Sequence, residues 1–239
     1  MAGWRRVVGL AALFAGMGIV AFAAPAEQER QKQSPEEQAK LTKAAATLVG
    51  KYVARELSLG PEETKKFVKT YVAEREAAEK RSAKAREAGD REASMAVFRE
   101  NQKGLQGVLE ANLNADQIKK AESILGTGGG RRGMFGGLER SASALLRSKV
   151  AENNVEKALP VLIKHQQEQA ALFAKARSGE IAREEIGTKL QELREKTTKE
   201  LAPIIGEEAA NAWQKGTGFG GRRGAQRGRG APGGAQPRQ

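Results

Sequence analysis

Few residues of this 239-residue chain could do chemistry by their type alone. The single histidine, His165, lies in the charged stretch IKHQQEQ with no second histidine near it. Stable transition-metal sites need several nitrogen or sulfur donors. His165 therefore reads as a solvated helix residue, and no metal is expected. Acid pairs occur at Glu62 and Glu63, Glu184 and Glu185, and Glu207 and Glu208. General acid–base work needs a cleft that shifts carboxyl pKa values, whereas these pairs stand at helix starts or beside Lys and Arg. Helix capping and surface charge account for them, so no catalytic residue is assigned and an enzyme is not expected. The chain has no cysteine, which excludes disulfides, thiolate metal sites and cysteine nucleophiles. No G-x-S-x-G, P-loop, dinucleotide fingerprint or H-E-x-x-H is present, and no cofactor is expected.

The remaining chemistry is charge. The net charge is +12, but it is spread unevenly. From Lys215 onward there are Arg222, Arg223, Arg227, Arg229 and Arg238 and no acid, while the middle of the chain alternates densely between the two signs. The segment 216–239, rich in Gly and Arg, cannot bury apolar area and is predicted to be disordered. Arg222, Arg223, Arg227 and Arg229 are candidate anion-binding residues. Anionic lipid headgroups or envelope polysaccharide are the candidate ligands, and a plain solubilising tail is the alternative. Nucleic acid is not expected, because the N-terminus reads as an export signal.

That N-terminus has Arg5 and Arg6 followed by an unbroken apolar run over 7–24, then small residues in an A-x-A arrangement. This is the pattern of a cleaved secretory signal over 1–26. An uncleaved anchor is the rival reading, since the run could just span a bilayer. A periplasmic or secreted location follows.

The elements that must carry these residues are helices, since Ala, Glu, Lys, Gln, Arg and Leu dominate. Met95, Phe98, Gln102, Leu105 and Leu109 step by three or four residues, which makes one apolar stripe. Leu113, Asn114, Gln117 and Ile118 then form a capping box with a hydrophobic staple, so a short helix starts at Ala115 and runs to about Leu125. Upstream, Pro61 opens a helix whose apolar face is Phe67, Val68, Tyr71 and Val72. Gly89 and Asp90 mark a tight turn, and a further apolar helix covers about 41–57.

The second half repeats this order. LERSASALLRSKVAE echoes AAATLVGKYVARE, pairing Leu48, Val49, Val53 and Ala54 with Leu145, Leu146, Val150 and Ala151. A charged helix over about 155–177 follows, with a hairpin turn at Ser178 and Gly179. The next stripe is Ile186, Leu190, Leu193, Thr197 and Leu201. Pro203 is expected to end that helix, and a short one runs from Gly206 through Trp213. The glycine–arginine phrase GTGGGRRG at 126–133 returns as GTGFGGRRG at 216–224. The predicted fold is all-α, with two tandem four-helix units built from long antiparallel hairpins and short capping helices. They cover 27–125 and 138–215, joined by a Gly/Arg-rich linker at 126–137. One unit is small for a free-standing core, so the units pack on each other or each dimerises.

LNADQ at 113–117 resembles the L-T-x-x-Q signature of the Spy/CpxP-like periplasmic proteins, with Asn in the Thr slot. LGPEE at 59–63 occupies the place of that family's other copy, with Gly for Thr and Glu for Gln. The resemblance covers about 57–125, and 154–214 only by internal repetition. It implies a helical, periplasmic, often dimeric protein of a family that includes ATP-independent chaperones, envelope-stress inhibitors and metal-resistance sensors. With one histidine and no cysteine, the metal-sensing branch is disfavoured. The expected function is binding of unfolded or envelope proteins, with Phe67, Tyr71, Met95 and Phe98 as the client-binding apolar face. The alternative is a structural or polyanion-binding envelope protein acting through its basic tail.

Overall fold

The computed structural model of the chain describes residues 34–127, 137–182 and 184–216. The proposed signal, most of the 126–137 linker, and the tail with Arg222, Arg223, Arg227 and Arg229 lie outside the described residues. Among those residues the regular structure is entirely helical, in eight helices. They are α1 (Pro35–Glu56), α2 (Pro61–Ala88), α3 (Arg91–Asn112), α4 (Ala115–Leu125), α5 (Gly137–Arg147), α6 (Glu152–Ser178), α7 (Glu185–Ile205) and α8 (Glu207–Gly216). None is long and apolar enough to cross a membrane.

Local chemistry sets the boundaries. Ser34 caps α1 in a reciprocal capping box with Glu37, so α1 begins several residues before the apolar pattern becomes readable. Asp90 accepts from the Glu92 amide at 2.8 Å and starts α3. Asn114 and Gln117 form the predicted box at the head of α4. The turn between α2 and α3 uses Gly89 at φ 66°, and the turn between α6 and α7 uses Gly179 at φ 82°. Both are conformations that glycine adopts without a steric penalty.

One proline departs from expectation. Pro203 does not end its helix, because α7 continues to Ile205, and Pro160 lies well inside α6. Both prolines are exposed. Water can satisfy the carbonyl that each one frees, which lowers the cost of an interior proline.

The helices pack as two hairpins on a shared centre. α2 packs on α3 and α6 on α7, while α1 touches α2, α5 and α6, and α8 touches α7 and α5. The core is continuous across both halves. It takes Ala45, Val49, Val53 and Leu57 from α1, Phe67 and Tyr71 from α2, and Leu105 and Leu109 from α3. From the second half come Leu138 and Leu145, Leu159 and Leu162, Leu201, and Trp213. Each fully buried large side chain contributes about 1.5–3 kcal/mol. Gly50 lets α1 approach α2 closely, since a β-carbon there would lie 3.2 Å from the Tyr71 ring.

Two helix ends, one in each half, are alike. α1 ends with Ser58 at φ 55°, and α5 ends with Lys149 at φ 60°, 91 positions later. The amides of Ser58 and Leu59 bond back to Arg55 and Ala54, and those of Lys149 and Val150 to Leu146 and Leu145. Each end is the same Schellman cap, with a non-glycine residue in the left-handed position. Aligned on these two caps, Leu145 stands opposite Ala54, whereas the sequence echo paired it with Leu48.

Candidate interaction surface

The four residues expected to form one apolar face are not brought together. Phe67 and Tyr71 are completely buried, with their rings stacked at 5.7 Å between centroids. Met95 is 50 % exposed, and Phe98 is half-buried. The physical reason lies along α3. Leu105 and Leu109 reach the shared core, whereas Met95 stands ten residues earlier, ~15 Å away at 1.5 Å per residue. Met95 and Phe98 lie outside the shared core. The second hairpin repeats this layout, with half-buried Leu172, Phe173, Ile181 and Ile186 around its turn and outside the shared core. Charged residues alternate with them along the chain, and Lys84, Glu92, Arg99 and Glu100 of the first hairpin are all exposed.

Below its exposed end the first hairpin is held by a polar network. Arg81 donates from Nε to Asn101 Oδ1 at 2.8 Å and pairs with Glu74 through Nη2. Buried Asn101 donates in turn to the Ser82 hydroxyl at 3.1 Å. Gly104 makes room for this arrangement, since a β-carbon there would overlap the Glu74 carboxylate. Alanines fill the remaining contact, with Ala78 and Ala85 buried. This stretch of the hairpin interior is thus small and polar, and Met95 and Phe98 beyond it are left toward the surface.

A second polar cluster joins the halves. Glu139 of α5 is 7 % exposed, accepts from the Tyr71 hydroxyl, and pairs with Arg75 Nε at 2.9 Å. Burial, then the Glu139 carboxylate, push the Tyr71 phenol well above its ordinary range. This cluster ties α5 to α2. Arg55 adds a surface tie from α1 to Glu156 of α6 at 2.7 Å.

The third cluster corrects the expectation for His165. It is buried, not solvated, at 8 % exposed. Nδ1 lies 2.8 Å from Thr197 Oγ1, and the ring meets Trp213 edge-on at 5.1 Å. The Thr197 hydroxyl donates to the Leu193 carbonyl at 2.8 Å, so it accepts from His165 Nδ1–H. Burial first, and Arg194 second, lower the imidazole pKa to about 4.

The acid pairs lie at the first turns of α2, α7 and α8, and all six residues are exposed. Glu63 accepts from the Gly60 amide at 2.9 Å, which caps α2. Among the described residues no group of three or more His, Asp or Glu is placed to hold a metal ion. Open grooves cross the surface of the described residues. One of about 420 Å³ runs past Glu192, Lys196 and Glu200, and one of about 300 Å³ past Lys40, Lys43 and Lys51. Leu113 is buried, and Asn114 and Gln117 are spent on the cap, so the resembled motif here builds a helix start.

Neither Glu139 nor the partners of Arg81 were singled out from the sequence, because each cluster joins residues distant along the chain. His165 carried a readable signal: Ala158, Leu162, His165 and Gln169 recur at helical spacing, and all are buried. No family model, no curated protein and no solved structure matches the chain.

Proposed function

We propose that this is an exported, non-enzymatic helical protein that binds unfolded or envelope proteins weakly, as a chaperone or envelope-stress component. The observation that supports this reading most is Met95, 50 % exposed near half-buried Phe98, at the end of the hairpin that lies beyond a polar stretch of its interior. An apolar patch ringed by both signs of charge suits weak binding to many partners, since methionine adapts its shape and the charges set no strict register. The client surface in this reading is Met95 and Phe98, with the equivalent end of the second hairpin. Phe67 and Tyr71 support the hairpins from the core. A photo-crosslinking residue at Met95, compared with one at exposed Lys149, tests it. The reading expects an unfolded client to be captured at 95 and not at 149. Equal capture at both positions contradicts it.

The matched Schellman caps at Ser58 and Lys149 and the repeated helix order support a tandem duplication of one four-helix unit. In this proposal the two copies are related to the Spy/CpxP-like proteins and pack on each other within one chain. A second reading rests on composition. Five arginines and no acid follow Lys215, which suits non-specific binding of anionic lipid or polysaccharide by the tail. Both readings place the protein outside the cytoplasm, on the strength of the N-terminal pattern.

A further inference from the structure

We propose that His165 is an acid-operated latch, whose neutral ring holds α8 on the α6–α7 hairpin and whose protonation releases α8 together with Trp213. This goes beyond client binding and does not depend on it. Three helices converge on the one imidazole of the chain. α6 carries it, α7 supplies the Thr197 acceptor at 2.8 Å, and α8 supplies the Trp213 indole at 5.1 Å. Thr197 has committed its own hydrogen to Leu193, so the arrangement is built for a neutral ring protonated at Nδ1. A second proton on Nε2 places a full charge in a site 8 % exposed, which is costly without a charged partner.

The surrounding charges do not supply that partner. On α6 the nearest acid is Glu168, and Lys196 of α7 already engages it at 3.2 Å. α7 also brings Arg194, which opposes a positive ring. α8 presents the indole. α5, which packs on both α6 and α8, has Glu139 as its buried acid, and that carboxylate is committed to Tyr71 and Arg75 of α2. His165 is the one histidine of the chain. The latch therefore belongs to the second half alone.

The direction follows from linkage. The docked state keeps the imidazole pKa at about 4, while a released, solvated histidine titrates near 6.5. Between these values the released form binds more protons, so falling pH favours release through that window and adds nothing below it. Release uncovers Trp213 and Ala210, and with them the Leu201 and Ile205 side of the core, as new apolar surface.

The chain suits a direct test, having one histidine and two tryptophans. In the full chain carrying Trp4→Phe, Trp213 is the sole tryptophan. Acrylamide quenching reports its exposure, and the C2–H resonance of His165 reports its protonation. The expected result is a histidine titrating well below 6 and an opening constant that rises on the order of 20-fold between pH 7 and pH 5. In His165→Gln, which keeps a donor for Thr197 and cannot titrate, that rise should vanish while slower carboxylate effects remain. A histidine titrating near 6.5 overturns the proposal, as does an unchanged pH response in the glutamine variant. Should that variant not fold, the titration in the histidine-bearing chain decides alone.

Discussion

Ser58 and Lys149, 91 positions apart, hold the same left-handed backbone conformation and close the same hydrogen-bond pattern at the ends of α1 and α5. Neither residue favours that conformation, which costs an L-residue about 1–2 kcal/mol. Glycine removes this strain at an unfolded-state cost of roughly 0.5–1 kcal/mol. Ser58→Gly and Lys149→Gly should each stabilise the fold, by about 0.5–1 kcal/mol, and by similar amounts. Denaturant titration measures both. A gain at one position and a loss at the other contradicts the equivalence of the two caps.

The Glu139 cluster gives the second prediction. Glu139→Ala leaves Arg75 buried without its anion and should cost about 3–5 kcal/mol. Tyr71→Phe removes one hydrogen bond to the same carboxylate and should cost about 1–3 kcal/mol. Because both changes act on one carboxylate, the double variant should lose less than the sum, a deviation that a double-mutant cycle reads directly.

Gly104 gives the third. Gly104→Ala drives a methyl group into the Glu74 carboxylate and breaks its pairing with Arg81. The expected loss is about 1–3 kcal/mol, read as lowered hydrogen-exchange protection in α2 and α3 with α6 and α7 unaffected. Adding Glu74→Ala to Gly104→Ala should recover part of it, since the overlapping group is gone.

How much of this was legible in the sequence depended on whether a signal was local. The Asn114 and Gln117 box and the glycine turns at 89 and 179 were readable, because capping and positive φ are decided within a few residues. Ser34 was equally readable in SPEE, and its box lengthens α1. Lys149 was not readable. No short-range rule puts a lysine in the left-handed region. Pro203 misled because proline rules do not know which face of a helix meets water. His165 looked solvated from its charged neighbours, although its helical spacing with Leu162 and Gln169 placed it on the buried stripe. The pairing of Tyr71 with Glu139 joins residues 68 apart, and only the packing of the halves creates it.

The tail yields the fourth prediction. Replacing Arg222, Arg223, Arg227 and Arg229 with serine removes four of the positive charges that follow residue 215. Binding to anionic vesicles should fall sharply. In the unchanged chain that binding should already weaken with added salt, since exposed charges are screened within about 8–10 Å at physiological ionic strength. Vesicle co-sedimentation at low and high salt measures both effects.

The account's central claim is that the hairpin ends, not the tail, bind unfolded protein. Suppression of the aggregation of a heat-denatured client tests it most directly, comparing the unchanged chain, the four-serine tail variant, and Met95→Glu with Phe98→Ser. Full suppression is expected from the tail variant. Roughly tenfold more of the hairpin variant should be needed for equal protection, since two apolar contacts worth about 1–2 kcal/mol together are lost. Protection that vanishes with the arginines and survives the loss of Met95 and Phe98 contradicts the claim.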